Sequence, residues 1–145
     1  VTIYSVNPAS GETVGEYQEM SAAEVEGILG AVASSQREWA GTGFPHRAAC
    51  LRRAAELLRQ RAGDYARLMA LEMGKPLAAG RAEAEKCAWV CDYYAEQGAD
   101  FLAAEEIATD ARRSYVAYRP LGVVLAVMPW NFPFWQVWRF AAPAL

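Results

Sequence analysis

Residues 121–134 read Leu121-Gly122-Val123-Val124-Leu125-Ala126-Val127-Met128-Pro129-Trp130-Asn131-Phe132-Pro133-Phe134. Val123 to Met128 is an unbroken apolar run, and a strand that is apolar on both faces suits a parallel sheet covered on both sides. Gly122, Pro129, Asn131 and Pro133 interrupt the stretch, which is too short and too broken for a transmembrane helix. A helix is predicted over Phe134 to Leu145. Strand, turn and helix imply a crossover to a further parallel strand. The sequence contains no such strand. The stretch therefore predicts an α/β, doubly wound fold cut after its first sheet strand and helix. Val1 in place of Met, and an end at Ala144-Leu145, add to the expectation of a leading piece.

Moving back from this stretch, Pro120-Leu121-Gly122 predicts a bend. Ser114 to Arg119 is β-prone and mixed in polarity, which suits an exposed or edge strand. Glu105 to Arg113 is polar and reads as a connection. A long helix is predicted over Leu77–Leu102, with Cys87, Val90, Cys91, Tyr94 and Phe101 inward and Glu83, Glu85 and Lys86 on the wet side. A second is predicted from Pro45 to Gly74, with Leu51, Ala55, Leu58, Ala62, Tyr65 and Met69 as its inner stripe. Its Arg52, Arg53, Arg59 and Arg61 form a solvated face. Gly74 supplies a left-handed cap and Pro76 prevents continuation. Ser21-Ala22-Ala23-Glu24 is a capping box. It opens a helix whose Val25, Ile28, Leu29, Val32 and Trp39 are expected to be buried on one side. The opening, Thr2 to Tyr17, predicts two short strands around Asn7-Pro8-Ala9-Ser10-Gly11.

The 54% hydrophobic and 21% charged content excludes a disordered chain. With 14 basic against 17 acidic residues, the net charge of -3 argues against a nucleic-acid partner. No membrane segment or signal peptide is legible. Cys50, Cys87 and Cys91 are an odd count without an export signal, so a reducing cytoplasm is expected and no disulfide framework. Cys87 and Cys91, four apart on one helix face, are read as small buried hydrophobes rather than metal ligands, since His46 is the only histidine.

The turn after Met128 is the candidate site, because open α/β sheets bind ligands beyond the carboxyl ends of their strands. It lacks Gly-x-Gly-x-x-Gly. Two prolines fix its backbone and remove amide donors. Asn131 sits between them. It serves either as a rigid NH₂ donor to an oxyanion or as an ordinary turn residue. Trp130, Trp135 and Trp138 crowd the same place. Asn131, Trp135 and Arg139 are spaced by four and share one side if the helix begins at once. That line suits a substrate with a reacting end and a distant carboxylate. The bland reading makes the aromatics core and Arg139 a solvated cation. Lys75 follows Gly74 without the rest of a phosphate loop, so no site is assigned to it.

Met128-Pro129-Trp130-Asn131-Phe132-Pro133 resembles the Pro-Trp-Asn-Phe-Pro motif of the aldehyde dehydrogenase superfamily. The likeness extends through Asn7-Pro8-Ala9-Ser10-Gly11-Glu12, Leu71-Glu72-Met73-Gly74-Lys75-Pro76-Leu77, Arg119 to Val124 and Pro143-Ala144-Leu145. The resemblance implies a Rossmann-type fold, with residues 1–145 as an incomplete cofactor-binding domain. In it, 105–120 contribute to an extension that pairs subunits into a homo-oligomer. It implies oxidation of a small aldehyde by NAD or NADP, through attack of a cysteine thiolate and a thiohemiacetal. Asn131 would donate to the oxyanion. Met128, Pro129, Trp130 and Asn131 would contact the cofactor, and Phe132 and Trp135 would line the aldehyde tunnel. Arg139 matches the arginine that succinate-semialdehyde-oxidising members use for the distant carboxylate. None of the cysteines matches the nucleophile, and the general-base glutamate has no counterpart, so the chain alone is expected to be inactive. The alternative is an inert helical interaction module.

Overall fold

The computed structural model describes residues 1–145. An antiparallel hairpin, β1 (Thr2–Val6) and β2 (Thr13–Gln18), comes first. Its turn forms where predicted. The Asn7 side chain accepts from the Ala9 amide at 2.9 Å, and Asn7 and Gly11 close the loop through their backbones. Helices α1 (Ala22–Ala40), α2 (Phe44–Gln60), α3 (Ala62–Met73) and α4 (Leu77–Phe101) follow. Two short strands, β3 (Glu105–Glu106) and β4 (Tyr115–Val116), pair antiparallel, and α5 (Pro133–Ala144) closes the chain. The protein is thus mostly helical with an N-terminal hairpin, as expected.

The core lies between α2, α4 and α5. Ala55, Ala88, Cys87 and Cys91 are wholly buried, with Leu51, Leu58, Val90, Ala95 and Ala142 around them. Small residues at the centre let the α2 and α4 backbones approach closely. Gly80 does the same between α4 and α3, because a Cβ there would stand 2.9 Å from Ala66 Cα. Gly74 ends α3 at φ 70, the left-handed cap read from sequence, and Pro76 starts α4. The capping box of α1 also forms. Glu24 N donates to Ser21 Oγ at 3.3 Å and Ser21 N to the Glu24 carboxylate at 2.7 Å. The Ser21 hydrogen bonds hold the Glu24 carboxyl below its usual range. Arg53, Arg59 and Arg61 pair on the surface with Glu56, Asp92 and Asp64.

Some expectations are corrected. The helix read from Pro45 to Gly74 is two helices broken at Arg61 (φ -104, ψ 13), and the break lets both halves lie against α4. The α1 stripe is not buried. Val25, Ile28, Leu29 and Val32 are all exposed, because no other element packs along that helix. Cys87 and Cys91 are buried as expected, and Cys50 is exposed on α2 beside His46. Val123 to Met128 joins no ladder, since a strand's backbone groups need a neighbouring strand and none lies there. No helix is long and apolar enough to cross a membrane.

Candidate active site

The turn between Met128 and α5 is fixed from outside. Helix α5 begins at Pro133, whose missing N–H costs nothing at a first-turn position. Its N-cap is Phe132, which has no side-chain acceptor to offer the next amides. A carboxylate from α4 supplies one. Glu83 Oε1 accepts from the backbone N–H groups of Phe134 and Trp135, both at 3.0 Å. Its other oxygen pairs with the Lys75 ammonium. Both side chains are buried, Lys75 at 9% and Glu83 at 3% exposed. Lys75 Nζ also donates to the Asn131 carbonyl at 3.3 Å and stands 3.9 Å from the centre of the Phe132 ring.

Glu83 therefore corrects the wet-side reading of α4, and Lys75 acquires a place the sequence did not suggest. A carboxylate at a helix N-terminus is favoured by the macrodipole, and charged hydrogen bonds of this kind are the strong ones. One signal in the sequence pointed here. A helix that starts at Pro133 without Ser, Thr, Asp or Asn before it leaves bare amides that need an acceptor from elsewhere.

The site residues fall into two groups. Asn131 is exposed at the tip of the turn, with Trp130 75% exposed and Met128 half-buried beside it. Because α5 starts two residues later, Asn131 is outside the helical register and does not continue the line of Trp135 and Arg139. Those two do share a face of α5. Trp135 is half-buried, packs against the core, and carries the Lys86 ammonium 3.8 Å from its ring centre. Phe132 is 45% exposed under Lys75. Both predicted tunnel aromatics thus hold a lysine cation over the ring, a favourable contact with the π face. Phe134 packs against Tyr65 with ring centres 4.7 Å apart. Arg139 is exposed and outside every ion pair of the structure.

Two of the three thiols are unfit for nucleophilic work. Burial pushes Cys87 and Cys91 up to about 12, with nearby Glu83 adding to the first and Asp92 to the second. A thiol that does not ionise near neutrality is a poor nucleophile. No cluster of three or more His, Cys, Asp or Glu side chains is placed to hold a metal ion.

The chain that carries this proline-bounded Trp-Asn-Phe turn belongs to the aldehyde dehydrogenase family, whose model matches residues 1–145. Among curated relatives it is 48% identical over 145 residues to a probable NADP(+) succinate-semialdehyde dehydrogenase of Synechocystis sp., covering 100% of this chain and 32% of that protein. It is 42% identical over 141 residues to an NAD(P)+ succinate semialdehyde dehydrogenase of Escherichia coli, covering 97% and 30%. A solved succinic semialdehyde dehydrogenase of Streptococcus pyogenes, in complex with NADP+, superposes with a TM-score of 0.92 at 30% identity. That match covers 97% of this chain and 31% of the other. The chain spans about a third of the length of these relatives.

Proposed function

We propose that residues 1–145 are the N-terminal portion of an NAD(P)-dependent dehydrogenase that oxidises succinate semialdehyde to the acid in a reducing cytoplasm. They form the incomplete cofactor-binding domain, and the hairpin region 105–120 contributes to subunit pairing in a homo-oligomer. The observation that carries this reading is the turn itself. It combines an exposed Asn131 on a backbone held by Glu83 and Lys75 with an unpaired Arg139 one turn beyond Trp135. The identity to succinate-semialdehyde dehydrogenases supports the same substrate.

The residues present fit one end of a nicotinamide cofactor. Trp130, Pro129 and Met128 offer apolar surface for a flat ring. The N-terminus of α5 does not suit its phosphates, because Glu83 already takes the amides a phosphate would use. The bound nicotinamide supplies the hydride acceptor. Asn131 donates its NH₂ to the oxygen that becomes negative when a cysteine thiolate adds to the aldehyde carbon. Held rigidly, such a donor needs no reorganisation as charge develops. Phe132 and Trp135 flank the aldehyde, and Arg139 takes the distant carboxylate. The thiolate and the general-base carboxylate are assigned to chain outside these residues.

Arg139→Leu tests the substrate. In the full-length enzyme it raises KM for succinate semialdehyde about tenfold or more, as loss of a charged hydrogen bond worth roughly 1.5–3 kcal/mol requires. KM for butanal, a neutral aldehyde of equal length, stays put. Equal changes for both aldehydes would remove the carboxylate role.

A further inference from the structure

The buried pair of Lys75 and Glu83 has no part in the chemistry proposed above, yet it is costly to keep. Taking two charges out of water is repaid only when geometry and extra hydrogen bonds compensate. Here the compensation is directed at a single place. Glu83 engages the amides of Phe134 and Trp135, the first free donors of α5. Lys75 engages the carbonyl of Asn131 and the ring of Phe132. The pair thus grips the backbone immediately before and after Phe132–Pro133. Lys75 comes from the segment behind Gly74 and Glu83 from α4, so three separate parts of the chain meet at the turn. A fixed Asn131 carbonyl fixes the peptide plane that follows it, and so restricts the directions in which the Asn131 side chain can leave the turn.

We propose that Lys75 and Glu83 are positioning residues that set the Asn131 side chain at the angle needed to meet the oxyanion. The proposal rests on the reading of Asn131 as the oxyanion donor. Neither residue touches substrate. They act through the backbone of residues 131–135. Preorganised donors lose their value when displaced, and a misplacement of about 1 Å can cost on the order of a hundredfold in rate.

The test is a double-mutant cycle in the full-length enzyme. Glu83→Gln keeps the size and one acceptor but breaks the ion pair. The paired variant Lys75→Gln/Glu83→Gln leaves no buried charge stranded and serves if the single variant fails to fold. Each is combined with Asn131→Ala. Expected are a fall in kcat of roughly tenfold to a hundredfold with KM nearly unchanged, and no further fall once Asn131 is already alanine. A merely structural pair would lower the rate by the same factor in both backgrounds, and that result overturns the proposal. Amide hydrogen exchange at Phe134 and Trp135 is measured alongside, and the variants are expected to exchange faster there. Unchanged exchange at these amides also overturns it. If the parent enzyme oxidises no aldehyde while the variants still expose these amides, the reading of Asn131 has failed and the grip on the turn stands.

Discussion

The two sides of the Pro129–Pro133 turn are held in opposite ways. On the helical side, α5 buries Ala142, packs Trp135 and Trp138 against the core and has its first amides capped from α4. On the strand side, Leu121, Leu125 and Val127 are 94%, 87% and 84% exposed. Both sides are strongly apolar, so hydrophobicity does not separate them. Backbone satisfaction does. A helix pairs its own N–H and C=O groups and then needs only a face to pack against, which α4 provides. An extended segment leaves its backbone groups open until another strand arrives. The turn is therefore anchored through α5 and by Lys75 and Glu83 from outside, and not through the extended segment.

Substitutions on the two sides sharpen the contrast. The largest difference is expected between Leu58→Ala and Leu125→Ala in this chain. Leu58 is 4% exposed in the α2–α4 core, and its truncation costs about 2–5 kcal/mol. Leu125→Ala stays within about 0.5 kcal/mol. Urea unfolding of both variants reads the difference, and equal losses would show that the extended segment is packed after all.

The thiols give a smaller, finer reading of the same packed side. Cys50 is exposed while Cys87 and Cys91 are buried, so iodoacetamide at neutral pH is expected to modify Cys50 alone in the folded chain and all three once it is unfolded. Because folding raises the Cys87 and Cys91 pKa from 9.0 to about 12, their neutral form is favoured in the native state. Their contribution to stability is complete below pH 9.0 and declines as the pH rises toward about 12, where native thiols ionise too. A Cys87→Ala/Cys91→Ala variant should lose this alkaline dependence. Persistence of the same slope would place its origin elsewhere.

Local signals were legible in the sequence. The Asn7 to Gly11 turn, the Ser21–Glu24 box and the left-handed Gly74 are each set by neighbours within a few residues, so pattern and structure agree. The Pro-bounded turn was legible too, as was Trp135 with Arg139 on one face of α5. What was not legible depends on distant partners. Glu83 looks like a solvent-facing charge because the amides it caps lie 51 and 52 residues away. The α1 stripe looks like a buried face, yet no element packs along it. The break at Arg61 lets both halves lie against α4, a partner that no window along α2 and α3 contains.

In the proposed function the turn presents Asn131 to a developing oxyanion. The most direct measurement is the steady-state rate of NADP reduction with saturating succinate semialdehyde, for the full-length enzyme and its Asn131→Ala variant. The expected result is a kcat lower by about 10²–10³, equal to roughly 2.7–4 kcal/mol of barrier, as for other lost oxyanion donors. An unchanged kcat would contradict it.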